Sequence, residues 1–308
     1  MSTPVLIAAA GVMACVAVVV VFLVIKYTRN GPSMDSTSPA SALGSGYKVG
    51  TRSLSDGQGT LLANLPIEDL MKKRAGAWNG SVSWKKSKVV NFQGQAALMV
   101  FYGKGSGTSS DPGIGGVAIH SKPQAFPLES AILEMQVFFA EGWQWSKGGK
   151  IGGFFVGHGN ASGKEHSTTG ASHRVTFGPG GMARSYVYLP SGLTQDASLR
   201  QTGPCTDCGI GLPGFDKLFK AGTLKIGEWN TIKVGVRLNT FDGQGAPRAD
   251  GHALLHANGI TGTATNIKWR RTPDLKISAF VFNTFFGGPD PATTDCTAYF
   301  RNFKVFSW

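Results

Sequence analysis

Residues 172–190 read SHRVTFGPGGMARSYVYLP, two runs of strand-forming residues joined by a glycine-rich turn. Residues i and i+2 of a strand point to the same face of a sheet, so Ser172 and Arg174 form one pair, and Tyr186 and Tyr188 form another. A five-residue loop would pair Arg174 with Tyr186 and Ser172 with Tyr188. We predict this register, because a four-residue loop would leave both tyrosines on the opposite face.

Similar strand patterns continue along the chain from about residue 61. Short β-type runs recur between Gly, Pro, Asn and Asp, and the 43 glycines provide many turns. This pattern predicts an all-β fold, an antiparallel sandwich or barrel. One helix is expected at residues 66–74 (PIEDLMKKR), where acids precede bases. The predicted strands are 97–102, 131–139, 150–156, 174–177, 184–189, 231–238, 252–256, 276–282 and 299–306.

The chain is strongly basic, with 30 Lys and Arg against 18 Asp and Glu and a net charge of +12. Most of the excess lies after residue 60, in the predicted β domain. A basic surface suits nucleic acid, anionic lipid or an acidic polysaccharide. The sequence contains neither a GxxxxGK[ST] loop nor a GxGxxG that enters a helix, so nucleotide chemistry lacks its main sequence support.

The first 60 residues differ in composition from the rest. Residues 5–25 carry no charge and are long enough to span a bilayer core of about 30 Å. A cleaved signal peptide is the alternative, but no Lys or Arg precedes the run and no clear cleavage site follows it. We predict a transmembrane anchor at 1–29, a flexible Ser/Gly/Pro linker at 30–60 and the β domain at 61–308. The positive charges after the run favour a cytoplasmic domain, or the equivalent side of a viral membrane.

Lys150, in the run KIGGFFVG, adds a second cation to the predicted site. On their own the two tyrosines would be ordinary half-buried strand aromatics, but the Arg, Lys and Ser near them fit β-elimination from a polyuronate. A cation offsets the carboxylate and acidifies the C5 hydrogen, a Tyr or Lys takes that proton, and a Tyr hydroxyl protonates the departing O4. A tyrosine base would need nearby cations to lower its pKa from about 10.

At these residues the sequence resembles polysaccharide lyase family 14, particularly the alginate and polyglucuronate lyases of chlorella-infecting viruses. The resemblance rests on Gly-Gly-Lys at 148–150, Ser-x-Arg at 172–174 and Tyr-x-Tyr at 186–188, and it extends over about residues 96–308. It implies an antiparallel β-jelly roll that needs no metal or cofactor and cuts a glucuronan- or alginate-type polyuronate, leaving 4,5-unsaturated ends. The implied catalytic residues are Lys150, Ser172, Arg174, Tyr186 and Tyr188.

The sequence departs from the family in one place near the site. Members commonly carry Leu-Pro-Gly-Leu after the active Lys, whereas this chain has Ile-Gly-Gly-Phe at 151–154. The predicted transmembrane anchor is a second difference, because the secreted members of the family have none. The anchor suggests a single-pass protein that is virion-associated or displayed at a cell surface. The expected partners are an anionic polysaccharide, such as that of an algal cell wall, and a membrane, but not nucleic acid.

Five more residues are candidates for binding the anionic chain, although each has a simpler interpretation. Surface lysines are usually only solvated, a lone His is more often hydrogen-bonded, and of Trp143 and Trp145 at least one is expected in the core. Strand alternation turns His173 away from the site. The five candidates are Lys147, His158, Lys164, Arg184 and Trp143, and weaker candidates are Lys268, Arg270 and Arg271.

Other functions remain open at this point. The same jelly roll could be a lectin or virion attachment protein for acidic glycans, without turnover. A sandwich-fold glycoside hydrolase needs two opposed carboxylates, and the six Glu residues form no such motif. Cys205 and Cys208 form a lone CxxC, for which a disulfide or free thiols fit better than zinc.

Overall fold

A computed structural model of the chain describes residues 47–50, 59–72, 80–83, 86–107, 115–145, 148–158, 161, 167–196, 199, 220–287 and 291–308. The predicted anchor at 1–29 lies outside these residues, as do Cys205 and Cys208. Within the described ranges, no helix is both long enough and apolar enough to cross a membrane.

The described residues form sixteen strands in two sheets, and every pair of neighbouring strands is antiparallel. The strands are β1 (Tyr47–Gly50), β2 (Leu61–Leu65), β3 (Gly80–Ser83), β4 (Lys88–Phe92), β5 (Gln95–Tyr102), β6 (Val117–Ser121), β7 (Ser130–Phe139), β8 (Gly149–Gly157), β9 (Gly170–Phe177), β10 (Met182–Tyr188), β11 (Lys220–Thr223), β12 (Trp229–Arg237), β13 (Gly251–Ala257), β14 (Ile260–Ile267), β15 (Ile277–Phe286) and β16 (Cys296–Phe306).

The nine-stranded sheet has the order β1-β14-β13-β12-β7-β16-β5-β4, with β2 paired to β16. The seven-stranded sheet has the order β11-β10-β9-β8-β15-β6-β3. This architecture confirms the all-β antiparallel prediction and is consistent with a jelly-roll sandwich. β1 pairs with β14, so a short part of the predicted linker at 30–60 is a strand.

All nine predicted strands are present, with ends shifted by a few residues. The predicted helix is a shorter 3-10 helix at Ile67–Lys72. The sequence did not predict β1 to β4, β6, β11 or β14. Most of these are only four or five residues long, and short runs give a weak periodic signal.

The core lies between the two sheets. In β12 buried and partly exposed residues alternate, as expected for a strand with one face on the core. Phe282 of β15 meets Phe300 and Phe303 of β16 in the other sheet, at ring-centre distances of 4.8 and 5.1 Å. Burying such apolar surface is the main favourable term in folding.

Trp143 belongs to this core, so its assignment to substrate binding was wrong. Its side chain is 3% exposed, and its ring contacts Phe139, Tyr102 and Phe286 at centre distances of 4.7 to 5.2 Å. A tight turn after β7, closed by a hydrogen bond from the Trp143 amide to the carbonyl of Ala140, brings the indole into the core.

A β-bulge in β8 decides where Lys150 points. The pairing of β8 with β9 shifts between Lys150 and Gly152, which leaves Ile151 as an extra residue. Ile151 and Phe154 are both fully buried in the core. Without the bulge, Lys150 would share the face of Phe154, since they are four residues apart. The bulge turns Lys150 to the outer face of the seven-stranded sheet, the face opposite the core.

Candidate active site

The hairpin of β9 and β10 has the predicted register. Arg174 lies opposite Tyr186, and Ser172 lies opposite Tyr188. Five residues, 178–182, lie between the last paired residues, Phe177 and Ala183, and the turn is a 3-10 segment at Pro179–Gly181. The register therefore confirms that all four side chains belong to the outer face of the seven-stranded sheet.

Arg174 is a buried cation with unused hydrogen-bond donors. Its side chain is 1% exposed, and neither Nε nor Nη2 has a hydrogen-bond partner among the described residues. The guanidinium lies over the ring of Phe155 at 4.6 Å from the ring centre. Burial lowers the pKa of Arg174 to about 10, while Tyr188 and Tyr186 act to raise it. The group remains charged at neutral pH, and because a buried unpaired charge is unfavourable, an incoming anion would stabilise it.

Lys150 lies beside the two tyrosine rings. Its Nζ atom is 4.8 Å from the ring centre of Tyr186, 5.3 Å from that of Tyr188 and 5.7 Å from that of Phe285. Burial, and then the charge of Arg174, lower the pKa of Lys150 to about 8. A substantial fraction of this amine is therefore neutral at mildly alkaline pH, which lets it accept a proton.

The two tyrosines contact each other. Tyr188 donates a hydrogen bond from its hydroxyl to that of Tyr186, with 3.4 Å between the oxygens. Their ring centres are 5.2 Å apart. Tyr188 is almost fully buried, whereas Tyr186 is partly exposed. Tyr186 is thus the more accessible of the two tyrosines on the outer face.

Ser172 has a different environment from the other four predicted catalytic residues. It is fully buried, and its hydroxyl donates a hydrogen bond of 2.7 Å to the carbonyl oxygen of Ala161. Ala161 in turn packs in a small buried cluster with Phe155 and Tyr188. This geometry assigns Ser172 to holding the chain at Ala161 against the site, because its only hydroxyl hydrogen already has an acceptor.

The structure gathers only some of the predicted binding residues. Arg184 precedes Tyr186 by two positions in β10 and so shares its face, next to the backbone of Gly178. His158 is exposed just beyond the end of β8, three residues after Phe155. Lys147 and Lys164 lie outside the described residues.

Arg270, a weaker candidate for the basic groove, was interpreted wrongly. Arg270 is 6% exposed, and its guanidinium forms an ion pair with Glu129 at 2.7 Å. It also donates hydrogen bonds to the carbonyl oxygens of Asn239, Pro273 and Leu275. The five N–H donors of a guanidinium can serve several carbonyl oxygens at once, so Arg270 connects loops of the protein instead of lining a groove.

Two residues of this face were missed by the sequence analysis, His120 of β6 and Asn283 of β15. Asn283 Nδ2 lies 3.3 Å from His120 Nε2, and the His120 ring lies 5.6 Å from that of Phe155. Burial, and then the charge of Arg174, lower the pKa of His120. The run VAIHS at 117–121 alternates, and this was the available signal for a strand that places His120 on one face.

The electrostatics of the site favour an anionic ligand. None of the residues in β6, β8, β9, β10 and β15 is Asp or Glu, so no carboxylate of these strands offsets Lys150 and Arg174. A glycoside hydrolase site, which uses two facing carboxylates, is therefore absent from these five described strands.

A β-sandwich that presents Lys, Arg and two Tyr on a sheet face without carboxylates has the features of a polysaccharide lyase. Residues 91–303 match the family model described as Polysaccharide lyase 14, and the chain belongs to this family. The resemblance drawn from the sequence to this family of polysaccharide lyases is confirmed.

Individual relatives agree with this family. Exolysin from Paramecium bursaria Chlorella virus 1 is 31% identical over 211 residues, which are 58% of this chain and 30% of Exolysin. This chain therefore spans less than a third of the length of that curated relative. The crystal structure of alginate lyase vAL-1 from Chlorella virus is 38% identical, with a TM-score of 0.72 over 81% of this chain and 100% of that one.

A more distant solved structure shares the fold. The marine PL-14 alginate lyase from Aplysia kurodai is 22% identical, with a TM-score of 0.63 over 81% of this chain and 100% of that chain. At this identity the likeness concerns the fold alone.

Proposed function

We propose that the chain cleaves an acidic polyuronate of the alginate or glucuronan type by β-elimination and leaves 4,5-unsaturated uronate ends. The observation that carries the proposal is Arg174, a buried cation with two nitrogen donors that no described residue satisfies. It lies opposite Tyr186 and is close enough to Lys150 to lower the pKa of its amine. Such an arrangement suits a substrate that brings its own carboxylate.

In the proposed reaction Arg174 binds the carboxylate of the sugar that loses its C5 hydrogen. Charge stabilisation by the guanidinium makes that hydrogen more acidic and stabilises the enolate-like transition state. A base removes the C5 proton, the C4=C5 double bond forms, and the C4–O4 bond breaks. A tyrosine hydroxyl gives its proton to O4 of the leaving chain. No water enters the products, so the reaction is an elimination.

We assign the base to Lys150 and the acid to Tyr186. The pKa of Lys150, about 8, puts it close to the working pH range, where general-base catalysis is most efficient. Tyr186 is the more exposed tyrosine, and its ring is the nearer of the two tyrosine rings to the Lys150 Nζ atom. Tyr188 then acts through its hydrogen bond to Tyr186.

The detergent-solubilised full chain tests this proposal. It is mixed separately with polymannuronate, polyguluronate and polyglucuronate, with and without a chelator, while the ultraviolet absorbance of the conjugated double bond is followed. Chelator-resistant growth of this absorbance on at least one polymer supports the lyase. Polymer binding without any double bond would instead favour a glycan-binding or attachment protein.

We further propose that residues 5–25 anchor the enzyme in a membrane, either of a virion or at a cell surface. The support is the uncharged run itself and a viral relative, Exolysin. Alkaline carbonate extraction of membranes from cells that express the full chain tests it. An anchored protein stays in the pellet, and release into the supernatant would contradict the anchor.

A further inference from the structure

The outer face of the seven-stranded sheet carries a second polar pair, on the other side of Phe155 from the tyrosines. Asn283 of β15 donates a hydrogen bond from Nδ2 to Nε2 of His120 in β6. An amide NH₂ can only donate, so this nitrogen of His120 is unprotonated and the ring proton is on Nδ1. The neutral state of the ring agrees with the lowered pKa of His120, which comes from burial and then from Arg174.

The carboxamide of Asn283 has an unused acceptor. Its Oδ1 atom is buried and has no hydrogen-bond partner among the described residues. Most buried polar atoms are hydrogen-bonded, so an exception on a binding face needs an explanation. The bond to His120 fixes the orientation of the carboxamide, and Oδ1 is therefore held in place for a donor that none of the described residues supplies.

Phe155 connects this acceptor to the unused donors of Arg174. The Arg174 guanidinium lies over the Phe155 ring at 4.6 Å, and the His120 ring meets the same ring at 5.6 Å. β8, which carries Phe155, lies between β9 and β15, and neighbouring strands are about 4.8 Å apart. Donors and an acceptor that no described residue satisfies therefore lie about two strand spacings apart, on either side of one aromatic ring.

We propose that Asn283 and His120 form a sugar subsite next to the cleavage site, in which Asn283 Oδ1 accepts a hydrogen bond from a hydroxyl group of the polyuronate. A uronate has the matching groups, a carboxylate for Arg174 and hydroxyls for Asn283. The inference rests on the proposed function. An acceptor at a fixed position discriminates between sugars whose hydroxyls point in different directions, so this subsite contributes to the choice of uronate.

The experiment compares Asn283→Leu with Asn91→Leu, a matched control at an exposed position of β4 in the other sheet. Binding of saturated uronate tetrasaccharides of each polymer is measured by calorimetry on the full chain, with Lys150→Ala in every sample to prevent turnover. We expect Asn283→Leu to weaken binding at least about tenfold, with Asn91→Leu unchanged. We also expect a different preference among the three polymers.

Thermal unfolding separates this role from a structural one. Oδ1 makes no hydrogen bond with the residues that the structure describes, so among these Asn283→Leu loses only the bond to His120 and should keep most of its stability. His120→Leu, which frees the carboxamide to rotate, should weaken binding less. Asn283→Asp keeps the shape and places a negative charge beside the anionic polymer, so it should weaken binding more than Asn283→Leu does.

Equal tetrasaccharide affinity in Asn283→Leu and its parent would overturn the subsite, and so would an Asn283→Asp variant that binds as tightly as the parent. Failure of the lyase proposal gives a different pattern. If the wild-type chain forms no double bond but Asn283→Leu still loses affinity, the result supports the proposed subsite and contradicts the proposed lyase activity. If the wild-type chain forms the double bond and the Asn283→Leu variant has the same KM as the wild type, the result supports the lyase activity and contradicts the subsite.

Discussion

The Nζ atom of Lys150 lies 4.8 Å from the ring centre of Tyr186, although β9 separates the strands that carry these residues. Two strand spacings amount to about 10 Å, so the lysine side chain must extend across β9 to reach the ring. On its way it comes close enough to Arg174 for that charge to lower the pKa of its amine. The proposed base, acid and carboxylate-binding group are thereby brought together from three neighbouring strands.

The first prediction concerns the ionisation of Lys150. If its neutral form is the base, kcat/KM should rise with pH, pass its half-maximal value near pH 8 and level off above it, since the pKa is about 8. Lys150→Arg keeps the positive charge, but the guanidinium does not lose its proton in this pH range. The kcat of this variant should therefore fall by about 10² to 10⁴, while its affinity for the polymer stays nearly unchanged. Initial rates from ultraviolet absorbance between pH 6 and 9.5 check both statements. A flat wild-type profile, or an active Lys150→Arg variant, would remove Lys150 from this role.

The second prediction concerns the effect of Arg174 on the stability of the fold. Its Nε and Nη2 atoms are unpaired among the described residues, so replacing the buried cation by an apolar side chain should raise the free energy of unfolding by about 1 kcal/mol or more. Arg174→Met should also lose activity, because no group then offsets the uronate carboxylate. Arg237→Met, at an exposed position of β12, is the control and should stay within about 0.5 kcal/mol of the parent. Urea unfolding at pH 7 measures the difference, and a less stable Arg174→Met would contradict it.

The tyrosine pair gives the third prediction. Tyr186→Phe should reduce kcat by about 10² to 10⁴, because the leaving O4 loses its proton donor. Tyr188→Phe removes the hydrogen bond to Tyr186 and should reduce kcat less, by about tenfold. Both variants should bind a uronate tetrasaccharide as the parent does, as expected if each hydroxyl acts mainly in the transition state. A larger loss in Tyr188→Phe would reverse the assignment, and a loss of affinity without a loss of kcat would favour a binding protein.

The sequence predicted the hairpin correctly because two constraints acted together. Alternation placed Arg174 and the tyrosines at matching positions of their strands, and the length of the glycine-rich turn left two registers, of which one gathered the polar residues. The polar side chains and the loop length favoured the same register, and both lie within one hairpin. The prediction therefore did not depend on distant parts of the chain.

Alternation could not show which way Lys150 points. The run KIGGFFVG has apolar residues at both odd and even positions, and the bulge at Ile151 shifts the phase of the strand. A bulge depends on how β8 meets both of its neighbours. The prediction that Trp143 binds substrate was wrong for a related reason. Its spacing from Trp145 does not reveal that a turn brings its indole into the core.

His120 and Asn283 were missed because their strands had weak signals. β6 is five residues long, and Asn283 lies just beyond the end of the predicted strand 276–282, although β15 continues to Phe286. The two residues are 163 positions apart in the chain, so only the pairing of β6 with β15 brings them together. A contact of that kind carries no local sequence pattern.

The last prediction concerns His173, which lies behind the site on the core side of β9. Its Nδ1 atom is 3.0 Å from the carbonyl oxygen of Gly235 in the other sheet, and Nε2 is 2.7 Å from the hydroxyl of Ser185 in β10. The carbonyl can only accept, so Nδ1 carries the proton and Nε2 accepts from Ser185. His173 thus connects the strand pair of the active site to the opposite sheet.

Burial lowers the pKa of His173 to about 4, against the smaller opposing effect of the Gly235 carbonyl. In the unfolded chain the group titrates near 6.5, so between pH 6.5 and pH 4 the unfolded state binds more protons than the folded one. The stability associated with neutral His173 is therefore complete above pH 6.5 and is lost as the pH falls towards 4, by on the order of 3 kcal/mol. Replacing the histidine should remove this part of the acid sensitivity.

Urea unfolding of the wild-type protein and His173→Gln at pH 7 and pH 4.5 checks this expectation, with His158→Gln, at an exposed position, as the control. His173→Gln should be less stable than the wild type at pH 7, where the histidine bonds are intact, and should lose less stability on acidification. The control should follow the wild type at both values. An identical loss in all three proteins would mean that other groups dominate the acid response, and His173 would then be a packing residue rather than a pH-dependent link between the sheets.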